Sequence, residues 1–371
     1  MKMSSFETCP DILAEVMGSV GLITLNRPKA LNALNLPMVR ALATLLIAWK
    51  NDPNVKAVAV RGMGREHAFG AFCAGGDIRF FHQSVLHGDA QLEDFFTEEY
   101  ELNHLIHTYP KPYIAFMDGI VMGGGMGISQ GASLRIVTQR TKMAMPETQI
   151  GLFPDVGGGW FLARCPGHSG EWLALTSDVI SAGDAIAIHL ADACFDPAKL
   201  DRAWDELARL GRYDTQELNE WQKHFQVPTP PSSLPLALIE KSFDQPTVFA
   251  IEKALMEEGS DWSKTCAAQL RSHSPLMQEV SLQLIRRGGT MSLADELRME
   301  RDMVRHCFNT RHLMRFMTET ETMEGIRALA IDKDRQPKWN PEKLEMVTSD
   351  MVAGFFDPVW PARAHPLRHL V

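Results

Sequence analysis

Residues 111–127, KPYIAFMDGIVMGGGMG, constrain the fold more than any other stretch of this chain. An apolar run of this kind reads as a strand buried on both faces, the type that parallel sheets covered by helices require. It ends near Val121 in a cluster of glycines, and glycine lets backbone reach angles that other residues avoid. VKAVAVRG (55–62) reads as a second buried strand, and SLRIVTQRTKMAMPE (133–147) supplies a further short one.

The same pattern continues along the first part of the chain. ILAEVMGSVGLITLNRP (12–28) predicts two strands around Gly18-Ser19, and PMVRALATLLIAWKND (37–52) has the apolar spacing of a helix. Strands alternating with helices make the first 200 residues or so an α/β unit. Around HFQVPTPPSSLP (224–235) the composition turns to Pro and Ser, the mark of a surface connection. Beyond it TVFAIEKALMEEG, PLMQEVSLQLIRRGG and SLADELRMERDMVRHCF read as helices, with Gly288-Gly289 and Gly325 as their punctuation. A chain of 371 residues is long for one core, since single cores stop growing at roughly 250–300 residues. The expected division is a core over 1–225, a connection at 226–235 and a helical region over 236–371 packed on the core.

Charge and cysteine content narrow the classes. A net charge of −9 argues against a general nucleic-acid or anionic-membrane binder. Six scattered cysteines without a C-x-x-C read as reduced thiols, not as a disulfide framework. No apolar run reaches the length of a membrane span. MKMSSFETCPDILAEV resembles neither a secretory signal nor an Arg-rich transit peptide, so the expected location is the cytoplasm.

Four features could carry chemistry. FCAGGDI (72–78) and GIVMGGGMG (119–127) each place glycines at the end of a strand-like segment. Where such a turn opens a helix its N–H groups point outward, and two such turns leave room for two donors on one oxygen. GISQG (127–131) matches the G-x-S-x-G nucleophile elbow, which would make Ser129 a nucleophile. That motif needs a strand leading directly into the serine, whereas Ser129 falls inside the helix after the glycines. MPETQIGLFPDVGGGW (145–160) sets Glu147 and Asp155 among apolar residues and glycine. Each acid follows a proline, so on local grounds they also read as a helix-start acid and a turn acid.

In this order and spacing, GLITLNRPKALNAL (21–34), FCAGGDI, KPYIAFMDGIVMGGGMG and MPETQIGLFPDVGGG resemble the crotonase (enoyl-CoA hydratase/isomerase) superfamily over about residues 11–200. The resemblance implies an α/β fold with a ClpP-like ββα spiral core and a mainly helical C-terminal region. It implies an acyl-CoA substrate whose thioester oxygen is bound by the N–H groups of Gly76 and Gly124. Hydratases of that superfamily carry one Glu two residues after the GGG run and another in the later PE segment. This chain has Gly127 at the first place, keeps Glu147 at the second and adds Asp155. That combination resembles the branch that hydrolyses 3-hydroxyisobutyryl-CoA in valine breakdown. FFTEEYELN (95–103) resembles that branch's substrate-binding stretch, which implies a binding role for Glu99, and EGIRALAIDKDRQPKWNP (324–341) resembles its C-terminal signature.

Glu147 would then act at the carbonyl, as general base on water or as nucleophile, with Asp155 orienting water or the substrate hydroxyl. No metal or cofactor is expected, CoA being part of the substrate. The expected partner is the small molecule alone, with no nucleic acid and no membrane, and the assembly is open, a homo-oligomer included. A hydratase or isomerase acting on an unsaturated acyl-CoA, and a non-catalytic acyl-CoA-binding scaffold, stay open as alternatives.

Overall fold

The Gly18-Ser19 turn joins Ile12–Met17 (β1) to Val20–Leu25 (β2), which pair antiparallel with Ile12 opposite Leu25. These coordinates are a computed structural model and describe residues 9–371; residues 1–8, part of the stretch read for targeting signals, lie outside the described residues. The remaining strands are Ala57–Gly62 (β3), Tyr113–Met117 (β4), Ile120–Met122 (β5), Leu134–Thr138 (β6), Lys142–Ala144 (β7) and Ala193–Phe195 (β8). Helices Leu36–Asn51 (α1), Ile78–His87 (α2), Gln91–His107 (α3) and Gly124–Gln130 (α4) lie between them in sequence.

Contacts divide the chain into two units, neither of them continuous. The first takes Met1–Gly76, Glu101–Met143 and Val179–Ser233. The second takes Asp77–Tyr100, Ala144–Asp178 and Leu234–Val371.

The first unit is built on a six-stranded sheet in the order β1-β2-β3-β4-β6-β8. Every neighbour from β2 onward pairs parallel, and β2 and β4 are buried at every position. That is why these strands read as unbroken apolar runs. Phe116 packs edge-on against Trp204 at 5.3 Å, and Phe195 against Trp221 at 5.5 Å. Burying each such ring contributes about 1.5–3 kcal/mol.

Two details of the strands differ from the expectation. The run 111–125 holds two strands, because the chain turns between β4 and β5 at Gly119, whose φ is +76°. Asp118 fixes that turn: its buried carboxylate accepts from Thr138 Oγ1 at 2.5 Å and from Arg140 Nη2 at 2.7 Å. β5 pairs with β7 in a separate small sheet. The stretch FCAGGDI ends no strand. β3 stops at Gly62, and the segment up to α2 is irregular apart from bridges at Cys73 and Gly76.

The second unit is mostly helical. Helices Val248–Glu258, Pro275–Gly288 and Leu293–Phe308 match the three apolar patterns, and the last two start on Ser274 and Ser292 as N-caps. Gly325 punctuates nothing: it lies inside the helix Glu321–Ile326, pressed against the backbone of Ile150. Rings from α2, α3 and Leu293–Phe308 interlock, with Phe81–Phe95 and Phe81–Phe96 at 4.9 Å and Phe96–Phe308 at 5.6 Å. This fixes the rotation of the first half of α3, the part that carries Glu99 and Tyr100. No helix among the described residues is long and apolar enough to cross a membrane.

Candidate active site

The two glycine segments meet inside the first unit. Phe72 and Cys73 donate their N–H groups to the Ile120 carbonyl at 3.1 and 2.9 Å, and Met122 N–H returns a bond to the Cys73 carbonyl at 3.0 Å. Leu34 N–H holds the Gly75 carbonyl at 2.8 Å. Gly75 has φ +100°, and a Cβ there would stand 3.2 Å from the Met122 carbonyl and 3.4 Å from the Gly124 nitrogen. Only glycine combines that backbone angle with so close an approach. The N–H groups of Gly76 and Gly124 have no hydrogen-bond partner among the described residues. Two unused donors on adjoining loops are what a developing oxyanion needs. Gly124 opens α4, and Gly76 precedes the N-cap of α2.

The acids gather in the second unit. Glu99 at 2 % exposure and Glu147 and Asp155 at 6 % are all buried. One oxygen each of Glu99 and Glu147 has no hydrogen-bond partner among the described residues. Tyr100 donates its hydroxyl to Asp155 Oδ2 at 2.8 Å. Burial raises the Asp155 carboxyl to about 6, and the Tyr100 hydroxyl limits the rise. Burial also raises Glu147 well above the ordinary carboxylate range, and the Asp155 charge raises it further. Glu99 is raised by burial first, then by Asp155 and Glu147. The three carboxyls therefore titrate as a coupled set.

The backbone around each acid is pinned. Glu147 starts the 3-10 turn Glu147–Ile150, and its neighbour Thr148 anchors that turn through Ser177 Oγ at 2.9 Å and His273 Nδ1 at 3.2 Å. Asp155 precedes Val156, whose φ is +61°, and Gly157, whose φ is +86°. A β-branched residue in the left-handed region stores about 1–3 kcal/mol of strain. Glu300 braces this turn, accepting from the N–H groups of Gly157 at 2.8 Å and Gly159 at 3.3 Å.

Ser129 carries none of this. It is fully buried in α4, and its hydroxyl donates to the Gly125 carbonyl at 2.8 Å, so the nucleophile-elbow reading falls. Tyr100, Glu296 and Glu300 were missed in the sequence. Tyr100 stands directly after Glu99, and Glu300 falls on the apolar face of its helix beside Leu297 and Val304, a charge where the core should be. Among the described residues no group of three or more His, Cys, Asp or Glu is set to hold a metal ion.

Residues 20–356 match the family model described as enoyl-CoA hydratase/isomerase. The chain belongs to that family. It is 38% identical over 357 residues to an Arabidopsis thaliana protein named probable 3-hydroxyisobutyryl-CoA hydrolase 3, covering 94% of this chain and 92% of the relative. It is 38% identical to the mitochondrial 3-hydroxyisobutyryl-CoA hydrolase of Xenopus tropicalis, covering 91% of this chain and 86% of the relative. Among solved structures, a carnitinyl-CoA dehydratase from Mycobacterium thermoresistibile superposes with a TM-score of 0.84 at 37% identity, covering 95% of this chain and 97% of its own. An enoyl-CoA hydratase from Rhodobacter sphaeroides superposes with the same TM-score at 33% identity, covering 94% and 98%. The crotonase fold is therefore shown, while the relatives' names divide between hydrolase and hydratase-type chemistry.

Proposed function

We propose that this protein hydrolyses a 3-hydroxyacyl-CoA thioester, 3-hydroxyisobutyryl-CoA first of all, to the free 3-hydroxy acid and CoA. The observation that carries the reading is the acid pair: Glu147 and Asp155 are both buried, and Gly127 stands where a hydratase of this superfamily carries its other Glu. Adding water across a C=C bond uses acid–base groups near both carbons, and one of them is missing here. The two Arabidopsis and Xenopus relatives, matched over more than nine-tenths of this chain, bear the hydrolase name and support the same choice.

In this reading the N–H groups of Gly76 and Gly124 polarise the thioester carbonyl and stabilise the oxyanion that forms on it. Glu147, in its ionised form, acts at the carbonyl carbon. As a base it takes a proton from water while the water oxygen bonds to carbon. As a nucleophile it forms a mixed anhydride that water then opens. In either route the C–S bond breaks and the CoA sulfur leaves as thiolate. Asp155, oriented by Tyr100, holds the water or the 3-hydroxyl in place. Glu99 binds the polar end of the acyl group.

Free-CoA release from 3-hydroxyisobutyryl-CoA, with hydration of crotonyl-CoA followed in parallel, tests the proposal. Release from the first without hydration of the second is expected. Hydration without release would transfer the protein to the chemistry named for its structural neighbours, and tight binding without either would make it a scaffold.

A further inference from the structure

Two more carboxyls lie behind Asp155, and the hydrolytic reading does not use them. Glu296 and Glu300 stand one turn apart on the helix Leu293–Phe308, and both have no solvent exposure. Neither forms an ion pair with a guanidinium among the described residues. Arg301, next in the chain, is taken by Glu93, as is Arg305. Two bare carboxylates in so dry a place would repel each other and lack the hydration they lost.

Their hydrogen bonds are unequal. Glu300 accepts two backbone N–H groups, from Gly157 and Gly159. Both oxygens of Glu296 are sealed from solvent and have no hydrogen bond of good geometry among the described residues, although the Trp160 N–H faces them. Standing one turn apart on the same helix, the two carboxyls are neighbours, and such a pair without a cation stays buried only if one of them carries a proton. One proton between them removes that repulsion, and the two backbone N–H groups on Glu300 help hold the charge that remains on the pair. The other groups that face the pair are Asp155 and Tyr100, the Trp160 N–H, and Arg164 at longer range.

The turn that Glu300 grips is the strained one. Gly158 N–H bonds back to the Asp155 carbonyl at 2.9 Å, and Val156 and Gly157 both have positive φ. Without a fixed acceptor for the Gly157 N–H, the turn would relax and carry Asp155 with it.

We propose that Glu300 is a positioning residue for Asp155, holding the strained turn on which Asp155 stands, and that a single proton kept between Glu296 and Glu300 lets both carboxyls remain buried together. The first half rests on Asp155 belonging to the hydrolytic site; the second does not.

Full-length Glu300→Gln, checked for folding, is assayed for CoA release from 3-hydroxyisobutyryl-CoA across pH. A misplacement of the order of 1 Å costs roughly 10²-fold, so kcat is expected to fall by about that much, with KM within about threefold. A folded variant with wild-type kcat overturns the positioning role; a lowered melting temperature alone would mark Glu300 as merely structural. The infrared carbonyl band of protonated carboxyl groups at neutral pH is compared between wild type and Glu296→Gln. The band is expected to lose intensity in the variant. An unchanged band overturns the proposal, even if Glu300→Gln does not fold. Failure of the wild type to release CoA would sink the hydrolase reading and leave the infrared result standing.

Discussion

Replacing Tyr100 by Phe removes one hydroxyl and leaves the ring in its contact with Phe96, 6.2 Å away. The lost bond is Tyr100 Oη to Asp155 Oδ2, 2.8 Å long and fully buried. A hydrogen bond to a charged group contributes about 1.5–3 kcal/mol, and about 1.36 kcal/mol corresponds to one pKa unit. Asp155, raised to about 6 with the bond in place, moves to roughly 7–8 without it. The sign is upward, because the hydroxyl stabilises only the ionised carboxylate. At pH 7 the ionised fraction then drops from about nine-tenths to between roughly a half and a tenth. Initial rates of CoA release against pH should show the acid limb displaced upward by about one to two units, with activity largely recovered near pH 9. An unmoved limb, or one displaced downward, would refute the role given to the ionised Asp155.

Three further outcomes are expected. Gly125→Ala puts a Cβ 2.3 Å from the Cys73 carbonyl and pushes α4 off the neighbouring loop; losing one oxyanion donor costs about 2.7–4 kcal/mol, so kcat should fall by about 10²–10³ in steady-state assays of the folded variant. Ser129→Ala should keep turnover within about threefold and the wild type should resist serine-directed phosphonates, since that hydroxyl is spent on the Gly125 carbonyl. Glu296→Gln should stabilise the protein more at pH 8 than at pH 5. The folded Glu296 carboxyl sits at about 7 against an ordinary 4.5, so its contribution is full below about 4.5 and lost as pH rises through 7. The difference reaches up to about 3 kcal/mol in urea denaturation, and a variant with the same offset at both pH values would contradict it.

Much of the site was legible because its backbone requirements are written in glycine and proline. The loops around Gly75 and Gly124 need residues without a Cβ, and the GGD and GGG runs announce that need. Glu147 and Asp155 stood out as charges in an apolar stretch, and both are buried. The break between β4 and β5 was hidden, because Asp118 looks like an ordinary turn acid until Thr138 and Arg140 close on it from about twenty residues downstream. Tyr100 and Glu300 were hidden for the same reason. Their partners, Asp155 and Gly157, are 55 and 143 residues away, and a single sequence shows no pairing over such separations. The grouping of 77–100 and 144–178 with the C-terminal helices is likewise a product of long-range contacts. Local composition marks only the Pro/Ser-rich stretch before Leu236.

The central claim is that one buried acid pair performs thioester hydrolysis. Single-turnover CoA release from 3-hydroxyisobutyryl-CoA by Glu147→Gln and Asp155→Asn, each with near-normal substrate binding, tests it most directly. The account predicts that both lose at least about 10²-fold of the wild-type rate, the range expected when a positioned acid–base group is removed. Near-wild-type release by a folded Glu147→Gln variant would contradict it, and the chemistry would then have to be sought in other residues.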